Sequence, residues 1–436
     1  MNRLSPESDP ASASATDRAV DCAFDSADGS AANTADGSAT DCAVDSASGA
    51  GASVAGDAVD ILQQLVRIDS VNPDLVLGAA GEAPIARWCA EWLREAGFDV
   101  TVLERTPGRP SVVGVKRGFG TGRSLMLNAH LDTVGVATYS GDPFAGNLQN
   151  GRVYGRGAID TKSGVAAILV AAARASALPL AGDVIVTLVA DEEFGSIGTE
   201  EVLDSFRADA ALVIEPSSLE LTTAHRGFAW FELTITGLAS HGSKPELGVD
   251  AIWNAGLVLT SLQKLRAKLN AAAGHPSLGH SALRVSQING GHDAATVAAH
   301  CALTLERRML PGETSDAVET ELRELLEELA GQDESFQYDL TRLVARAAFE
   351  ADSDWPIVRA LADNAERVLV RPVKTRSEPF WTDAGLVLEA GIPCVVFGAH
   401  GEGLHADTEW ADAASVHALA DILAGTIIEF CAAPQS

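Results

Sequence analysis

LMLNAHLDTVGV, residues 125–136, is an apolar run that stops at a histidine and an aspartate two positions apart. The run has the length and composition of a buried strand. Residues two positions apart lie on the same side of an extended segment, so Asp132 can accept the far ring N–H of His130 and leave the other nitrogen for a metal ion. Taken alone, the pair is better explained as the polar edge of a strand, because buried polar pairs are common structural features.

The chain around this stretch alternates helices and strands. From residue 57 onward, segments with helical periodicity alternate with short β-branched runs, which are SVVGVK (111–116), SLMLNAH (124–130), DVIVTLVAD (183–191), AALVIE (210–215) and IPCVVFG (392–398). This alternation indicates an α/β fold in which a mixed central sheet has helices on both faces.

A second unit interrupts this pattern. Its predicted order is strand, helix, strand, strand, helix, strand, over residues 228–237, 249–272, 282–288, 300–309, 315–330 and 335–343. That order predicts a ferredoxin-like α+β domain inserted into the larger one. A helix predicted at 354–369 then returns the chain to the first domain. We therefore expect a larger domain in two parts, 56–227 and 346–436, and an inserted domain at 228–345 that faces it across a cleft.

Composition argues against several classes of partner. The 436 residues include 60 acidic and 31 basic side chains, for a formal net charge of −29. Nucleic acids and anionic membranes are polyanions, so we expect neither as a partner. The amino terminus lacks the apolar core of a secretory signal, and the longest apolar stretch, 164–182, contains Arg174 and Pro179. We therefore expect a soluble cytoplasmic protein without a membrane span.

The first 55 residues differ from the rest of the chain. Residues 1–55 are mostly Ala, Ser, Asp, Gly and Thr, and DCAFDSADGSA at 21 recurs as DCAVDSASGAG at 41. Such a segment cannot bury enough apolar surface to offset its ordering entropy, so we expect a disordered acidic tail that solubilises the protein. An interaction or regulatory role is the alternative.

The six cysteines, at positions 22, 42, 89, 301, 394 and 431, are scattered along the chain. They have neither a CxxC pair nor a regular spacing. This pattern is typical of free thiols in a reducing compartment rather than of a disulfide framework.

Residues that bind metals follow several of the predicted strands. Open α/β sheets bind their ligands at the carboxyl ends of strands. Asp160 lies in the glycine-rich turn YGRGAIDTKSG, where its carboxylate could bridge two cations. The residues Asp191–Glu193 end one strand, Glu215 ends another, and His405 lies in the late loop GEGLHADTEW. Because adjacent strand residues point opposite ways, we expect one glutamate to bind metal and its neighbour to face water.

Together these residues suit two zinc ions that share Asp160. Two Zn²⁺ ions carry four positive charges, which Asp160, Glu193, Glu215 and one hydroxide would cancel, while neutral histidines add none. Each motif alone is weak, because a DEE cluster is more often a solvated loop. It is the ordered series along the chain that favours a metal centre.

The series resembles the motifs of the co-catalytic dizinc amidohydrolases and peptidases. That family includes acetylornithine deacetylase, succinyl-diaminopimelate desuccinylase, aminoacylase and glutamate carboxypeptidase. Its HxD, GRGxxDxK, Glu-Glu, later acidic and HxxxE motifs occur here in the same order as HLD, GRGAIDTK, EE, IEP and HADTE. The resemblance covers about residues 57–432.

The resemblance implies a role for each of these residues. It implies that His130 and Glu215 bind one zinc ion and that Glu193 and His405 bind the other. Asp160 would bridge the two ions. Glu192 would be the general base that deprotonates the bridging water, and Asp132 would sit behind His130. Cobalt and manganese are the alternative metals.

Further segments resemble substrate-binding parts of the family. GLASHGSKPELGVDAI matches the segment whose histidine stabilises the oxyanion, often from a partner subunit, which nominates His241 and implies a lid that also dimerises. In the acetylornithine deacetylase branch, the arginine before LPG binds a substrate carboxylate, as Arg308 would here. The same segment departs from the family at Ala295, where an Asn is usual. The TDA segment implies that Thr382 and Asp383 lie near substrate, with a helix N-cap by Thr382 as the alternative.

These implications favour a homodimeric hydrolase that removes an acyl group from the α-nitrogen of an N-acyl amino acid. Zinc-activated water would attack the amide carbonyl, and Glu192 would pass its proton to the leaving nitrogen. A dipeptidase or carboxypeptidase is the first alternative, and a non-catalytic metal-binding protein is the second.

The other histidines match no liganding position in the family, and we expect surface or structural roles for them. They are His225, His275, His280, His292, His300, His400 and His417. His400 is the one rival for the last ligand. His405 is preferred because Glu409 follows it at the spacing of the HxxxE motif.

Overall fold

Strands and helices alternate through the described part of the chain. The computed structural model describes residues 56–433. Its strands are β1 (Asp99–Leu103), β2 (Ser111–Lys116), β3 (Leu125–His130), β4 (Asn147–Gln149), β5 (Arg152–Tyr154), β6 (Val184–Val189), β7 (Ala210–Val213), β8 (Leu221–His225), β9 (Gly227–Thr236), β10 (Ala282–Gly290), β11 (His300–Met309), β12 (Gln337–Arg346), β13 (Phe349–Glu350), β14 (Thr375–Glu378), β15 (Cys394–Val396), β16 (Gly401–Glu402) and β17 (Trp410–Asp412). Its α-helices are α1 (Ala58–Val66), α2 (Ala83–Glu95), α3 (Ser163–Ser176), α4 (Ile197–Ser205), α5 (Ala251–Ala271), α6 (Ser315–Gln332), α7 (Pro356–Leu369), α8 (Ala384–Glu389) and α9 (Ala413–Phe430).

Four parallel strands form the centre of the largest sheet. The sheet has the order β1-β2-β6-β3-β7-β15-β8-β13, with β14 beside β8. Strands β6, β3, β7 and β15 run parallel to one another, whereas β1 and β2 add to the edge in antiparallel fashion. Every residue of β3, β6 and β7 is buried, as expected for parallel strands that are covered on both faces.

Helices cover both faces of this sheet, which confirms the predicted fold class. Leu125 and Leu127 of β3 point into a core that they share with helices α1, α2, α3, α7 and α9. Met126, between them in sequence, points the opposite way into a second core with α4 and α8. The alternation along one strand therefore feeds two separate apolar layers.

The inserted unit is a second sheet with its own core. The antiparallel order β10-β11-β9-β12 and helices α5 and α6 give the predicted β-α-β-β-α-β arrangement. Its core includes Phe231, Val258, Leu303 and Leu322, none of which belongs to the cores of the larger sheet. The exact domain boundaries stay predictions. We call this second unit the lid.

Helix α5 begins two residues later than its periodicity predicts. Asp250 caps it, because its carboxylate accepts hydrogen bonds from the backbone N–H groups of Ile252 and Trp253.

A third, small sheet was not predicted. It has the order β16-β17-β5-β4, with strands of only two or three residues. The loop between β16 and β17 carries His405. Gly403 opens that loop with φ of 84°, and a Cβ there would lie 1.8 Å from the Thr408 carbonyl oxygen, so only glycine fits.

The structure covers only some of the expectations about the tail, the cysteines and a membrane span. The tail at 1–55, with Cys22 and Cys42, lies outside the described residues, and the four cysteines inside them are free and buried. Helix α9 is long and apolar enough to cross a membrane by length and composition alone. It packs against α3 and α7 and contributes much of the larger core, as expected for the core helix of a folded domain.

The lid core should contribute to stability in proportion to burial. Leu303→Ala, at a position 1% exposed on β11, should lower the free energy of unfolding by about 2–5 kcal/mol through lost transfer energy and a cavity. The matched change Leu343→Ala, at a position 54% exposed on β12 of the same sheet, should cost less than about 1 kcal/mol. Guanidinium denaturation followed by circular dichroism measures both, and equal losses would contradict this account of the core.

Candidate metal centre

Three neighbouring strands bring their last residues to one edge of the large sheet. His130 is the final residue of β3, Glu215 follows β7, and the segment Asp191–Glu193 follows β6. Strands β6, β3 and β7 are adjacent and parallel, so their carboxyl ends meet at the same edge. The strand-end rule applied to the sequence therefore identifies residues that are neighbours in space.

Asp160 lies between two histidines that are far apart in sequence. Its Oδ1 is 3.1 Å from Nε2 of His130, and its Oδ2 is 3.4 Å from Nε2 of His405. His405 Nε2 also lies 3.0 Å from Oε2 of Glu193, while His130 Nε2 is 3.8 Å from Oε1 of Glu215. Each oxygen of Asp160 thus faces a different histidine, the arrangement expected of a carboxylate shared by two cations.

Glu409 holds the turn that presents Asp160. Its Oε1 accepts hydrogen bonds from the backbone N–H groups of Ile159 and Asp160, at 3.0 and 3.1 Å. Its Oε2 accepts from the Gly157 N–H and from Nη1 of Arg156, at 3.0 and 2.8 Å. The HxxxE spacing served only to select His405, and no local pattern indicates these four bonds, because their donors lie about 250 residues away in sequence.

Glu192 and Glu193 lie in a turn rather than on the strand that precedes them. Strand β6 ends at Val189, and Asp191 has a left-handed backbone with φ of 71°. The expected strand alternation therefore does not apply to them. Both glutamates line the same cavity, Glu192 beside Glu215 and Glu193 beside His405.

Asp132 contacts His130 differently from the expectation. The His130 Nδ1 atom lies 2.9 Å from the Asp132 carbonyl oxygen but 3.6 Å from its carboxylate, so the main chain is the nearer acceptor for the ring. The Asp132 carboxylate instead accepts from the backbone N–H groups of Glu192 and Glu193, at 3.1 and 3.2 Å. Asp132 therefore supports the glutamate turn as well as the histidine.

Burial makes this concentration of carboxylates electrostatically costly. It raises the pKa of Glu192 and of Glu215 well above the usual range, and it raises the pKa of Glu193 to about 7. Neighbouring negative charge adds to each shift, from Glu215 on Glu192 and from Asp160 on Glu193. A positive charge among these groups would offset the penalty.

The histidines show where positive charge is favoured. Hydrogen bonds to Asp160 and Glu193 raise the pKa of His405 to about 10. Burial lowers the pKa of His130, but Glu215, Asp132 and Asp160 outweigh it and leave that pKa above its usual value. The negative field that favours protons on these rings also favours a metal cation at their Nε2 atoms.

The donor set fits a metal site. Ligand atoms of His130, Glu192 and Glu215 lie within 4.8 Å of one another. The same is true of ligand atoms of His130, Asp160 and Glu193. The Oε1 atom of Glu193 is buried without a hydrogen-bond partner among the described residues, which is costly unless a ligand satisfies it. Imidazole nitrogen with carboxylate oxygen is a usual donor set for zinc. Glu192 also lies within 4.8 Å of residues predicted to be ligands, so distance alone does not distinguish a general base from a ligand.

A cavity of about 280 Å³ opens over these groups. Its lining residues are Asp160, Glu192, Glu193, Glu215, Pro216, Phe380, Trp381, Thr382, Leu404 and His405. Thr382 also accepts a hydrogen bond from the Ala384 N–H at 3.3 Å, so it both faces the cavity and supports the start of α8. Asp383 is not in the lining. It lies behind the wall, where its Oδ2 accepts from the Thr199 hydroxyl at 2.5 Å and burial raises its pKa to about 6.

Two residues expected near substrate lie on the lid, away from the cavity of their own chain. His241 is exposed, and its Nδ1 lies 2.8 Å from the Ser243 hydroxyl. Arg308 pairs with Glu306 at 2.9 Å and stands 5.4 Å over the Phe228 ring. That ring is 6.0 Å from the ring of Trp381 in the cavity wall, so one aromatic layer separates Arg308 from the cavity.

The rival histidine does not reach the centre. His400 lies 3.2 Å from the Ser218 hydroxyl and packs edge-on against Trp410. His225 is fully buried next to Phe349 and Trp381, and burial lowers its pKa to about 4. Neither side chain is in the cavity lining, in agreement with the structural roles expected for them.

Polar residues outside the motifs complete the rear of the centre. Asn72, Glu82 and Arg109 are buried behind Asp132 and Asp191. No sequence pattern marked them, because each is a single polar residue that precedes the matched motifs and reaches the site only through the fold.

Comparison with known proteins agrees with this geometry. The profile of Peptidase family M20/M25/M40 matches residues 126–429. An acetylornithine deacetylase of Vibrio atlanticus (strain LGP32) is 27% identical over 381 residues, which cover 86% of this chain and 98% of that protein. An N-formyl-4-amino-5-aminomethyl-2-methylpyrimidine deformylase of Bacillus subtilis (strain 168) is 29% identical over 346 residues, or 72% of this chain and 81% of that protein.

A solved structure shares the fold over nearly its whole length. The Bacillus subtilis YXEP protein, described as a dinuclear metal binding peptidase from the M20 family, has a TM-score of 0.66 and 16% identity, and the match covers 86% of this chain and 97% of that one. The family match spans well over half of this chain and includes the glutamate pair, the GRGAIDTK turn and the HADTE loop. The resemblance inferred from the motifs is therefore confirmed, and this chain belongs to Peptidase family M20/M25/M40 as a metallohydrolase.

Proposed function

We propose that this protein hydrolyses the amide bond of an N-acyl amino acid with two zinc ions in the centre at the sheet edge. The observation that carries the proposal is Asp160, whose two oxygens face His130 and His405 at the floor of the cavity. The ligands would be His130 and Glu215 for one ion and Glu193 and His405 for the other, with Asp160 shared. We expect the enzyme to act in the cytoplasm.

The metal ions and the side chains would divide the chemistry. Bound divalent cations would polarise the scissile carbonyl and lower the pKa of water in the site. Glu192 faces the same cavity from the turn that Asp132 supports, so its carboxylate is available to accept a proton from water and return it to the leaving nitrogen. Glu409 keeps Asp160 in place without touching the reacting atoms.

The cavity wall supports a small, neutral acyl group. Its apolar side chains are Pro216, Phe380, Trp381 and Leu404, and the ten lining residues include no lysine or arginine. An acyl group with its own carboxylate would therefore face acidic and apolar side chains without a lysine or arginine to pair with it. The two curated relatives are named as a deacetylase and a deformylase, which favours deacylation over peptide cleavage.

Glu192 should be required for turnover but not for metal binding. Glu192→Gln should lower kcat by about 10²–10⁴-fold, because the general base is lost while the ligands remain. Metal content by atomic emission should stay at about two ions per chain. Glu91→Gln, an exposed change on α2, serves as the control and should match the unaltered enzyme. Loss of metal in Glu192→Gln would instead make Glu192 a ligand.

A substrate panel tests the acyl-group argument. N-formyl, N-acetyl and N-succinyl derivatives of one amino acid, and a dipeptide that contains it, should be assayed side by side. The formyl and acetyl compounds should exceed the succinyl compound in kcat/KM by about tenfold or more, since an unpaired buried charge costs at least 1.4 kcal/mol. Preference for the dipeptide would support the peptidase alternative, and preference for succinate would overturn the cavity argument.

We also propose that the enzyme forms a homodimer through the lid. Helix α5 exposes Ile252, Trp253 and Leu257, and Trp253 is 76% exposed. Strand β10 lies at the edge of the lid sheet and exposes Ile288. Adjacent exposed apolar groups of this size usually mark an interface. His241 lies exposed on the same unit, which supports action on the cavity of a partner subunit.

The oligomeric state should depend on the exposed face of α5. Trp253→Asp should convert a dimer to a monomer, because a charge in an apolar interface is strongly unfavourable. Size-exclusion chromatography with light scattering measures the mass. Val370→Asp, at an 89% exposed position after α7, is the matched control and should leave the mass unchanged. A dimer that persists in Trp253→Asp would place the interface elsewhere.

A further inference from the structure

The turn that carries Glu192 and Glu193 is anchored from two sides. On one side, the Asp132 carboxylate accepts both glutamate backbone N–H groups. On the other side, the turn begins at Asp191, whose own carboxylate points away from the cavity into a buried polar cluster. The direction of both glutamates therefore depends on how Asp132 and Asp191 are held relative to each other.

A single amide joins these two carboxylates. The Nδ2 atom of Asn72 donates to Oδ2 of Asp132 at 2.8 Å and to Oδ1 of Asp191 at 3.0 Å. Asn72 is fully buried, and its main chain is fixed by a bond from its N–H to the Thr133 carbonyl at 2.9 Å. The buried carboxylates of Asp132 and Asp191 both contact this one nitrogen, so they are close enough to repel each other. A donor that bonds both offsets this repulsion and keeps them adjacent.

Arg109 supplies a buried positive charge that pairs with Asp191. Its Nη2 lies 2.8 Å from Oδ1 of Asp191, and its Nε and Nη2 bind both oxygens of Glu82 at 2.7 Å. The side chain of Arg109 is only 5% exposed, so solvent screens these pairs weakly. Arg109 is therefore an anchor for Asp191, while Asn72 makes the direct link to Asp132.

We propose that Asn72 is a positioning residue that sets the orientation of the Glu192–Glu193 turn by tying Asp132 to Asp191. The proposal rests on the proposed function, because it assigns Glu193 to the metal and Glu192 to proton transfer. Asn72, Glu82 and Arg109 all precede residue 126, where the family match begins. The segment that precedes the match thus contributes to the geometry of the centre.

The test compares two buried asparagines. Asn72→Leu keeps the number of side-chain heavy atoms and the branching at Cγ, and it removes the amide N–H donors. Asn364→Leu is the matched control, because Asn364 is also buried and its Nδ2 also donates two bonds, to the Ala360 carbonyl at 2.7 Å and to Glu429 at 2.8 Å. The bond to Ala360 lies within α7, and the bond to Glu429 joins α7 to α9, away from the cavity. Asn72→Ser is a milder variant that repeats the test if Asn72→Leu does not fold.

Titration of metal-free protein with Co²⁺ alone gives a readout that needs no substrate. Asn72→Leu should lose about 10–100-fold in affinity for one of the two Co²⁺ ions, with an altered visible absorption spectrum, because the support of a ligand has been removed. Asn364→Leu should lower Tm but keep the unaltered Co²⁺ affinity and spectrum. With any substrate that the panel identifies, Asn72→Leu should lower kcat much more than it changes KM.

The outcomes separate the two proposals. Unaltered Co²⁺ affinity and spectrum in a folded Asn72 variant, or equal effects in both asparagine variants, would overturn the positioning role and leave the proposed function intact. Unaltered protein that binds no Co²⁺ would overturn the proposed function itself, and with it the role of Asn72.

Discussion

Burying many carboxylates at one end of a sheet is the constraint on which the rest of this structure depends. An ionised group moved out of water loses solvation worth several kcal/mol, so each must be matched by donors or by positive charge. The protein uses several kinds: backbone N–H groups on Asp132 and Glu409, guanidinium groups from Arg109 and Arg156, and imidazole rings beside Asp160. Among the described residues, Glu193 Oε1 is left without a hydrogen-bond partner, and Glu193 lines the cavity.

Much of the centre could be predicted from sequence because its geometry follows from local rules. Strand β3, which ends at His130, and strand β7, which Glu215 follows, are both short apolar runs, and parallel strands end at a common edge. The proximity of two residues at the ends of neighbouring parallel strands can therefore be predicted without knowledge of the tertiary contacts. The lid could be predicted for the same reason, since its alternation of strands and helices has a period that the residues themselves display.

What could not be predicted depends on contacts between distant segments or on backbone geometry. Asp191 turns the chain with a left-handed conformation, and this ended the strand alternation expected for Glu192 and Glu193. The small sheet has strands too short to show a period. Asn72 lies in a loop, and its amide matters only because the fold places it between two carboxylates. The positions of lid residues relative to the cavity depend on the orientation of the lid and on the association of subunits, and a local sequence pattern predicts neither.

The bonds of Glu409 to the Asp160 turn also have a consequence for the order of events during biosynthesis. Glu409 emerges from the ribosome 249 residues after its main-chain partner at Asp160, and the intervening chain includes the whole lid. At about 5–20 residues per second, a nascent chain would spend about 12–50 seconds with the turn unsupported. Contacts of such sequence separation also form late in folding, since the loop that they close is long. The segment that carries Glu409 is thus made long after the turn that it supports, so the centre is complete only once that later segment has been translated and has folded back onto the turn.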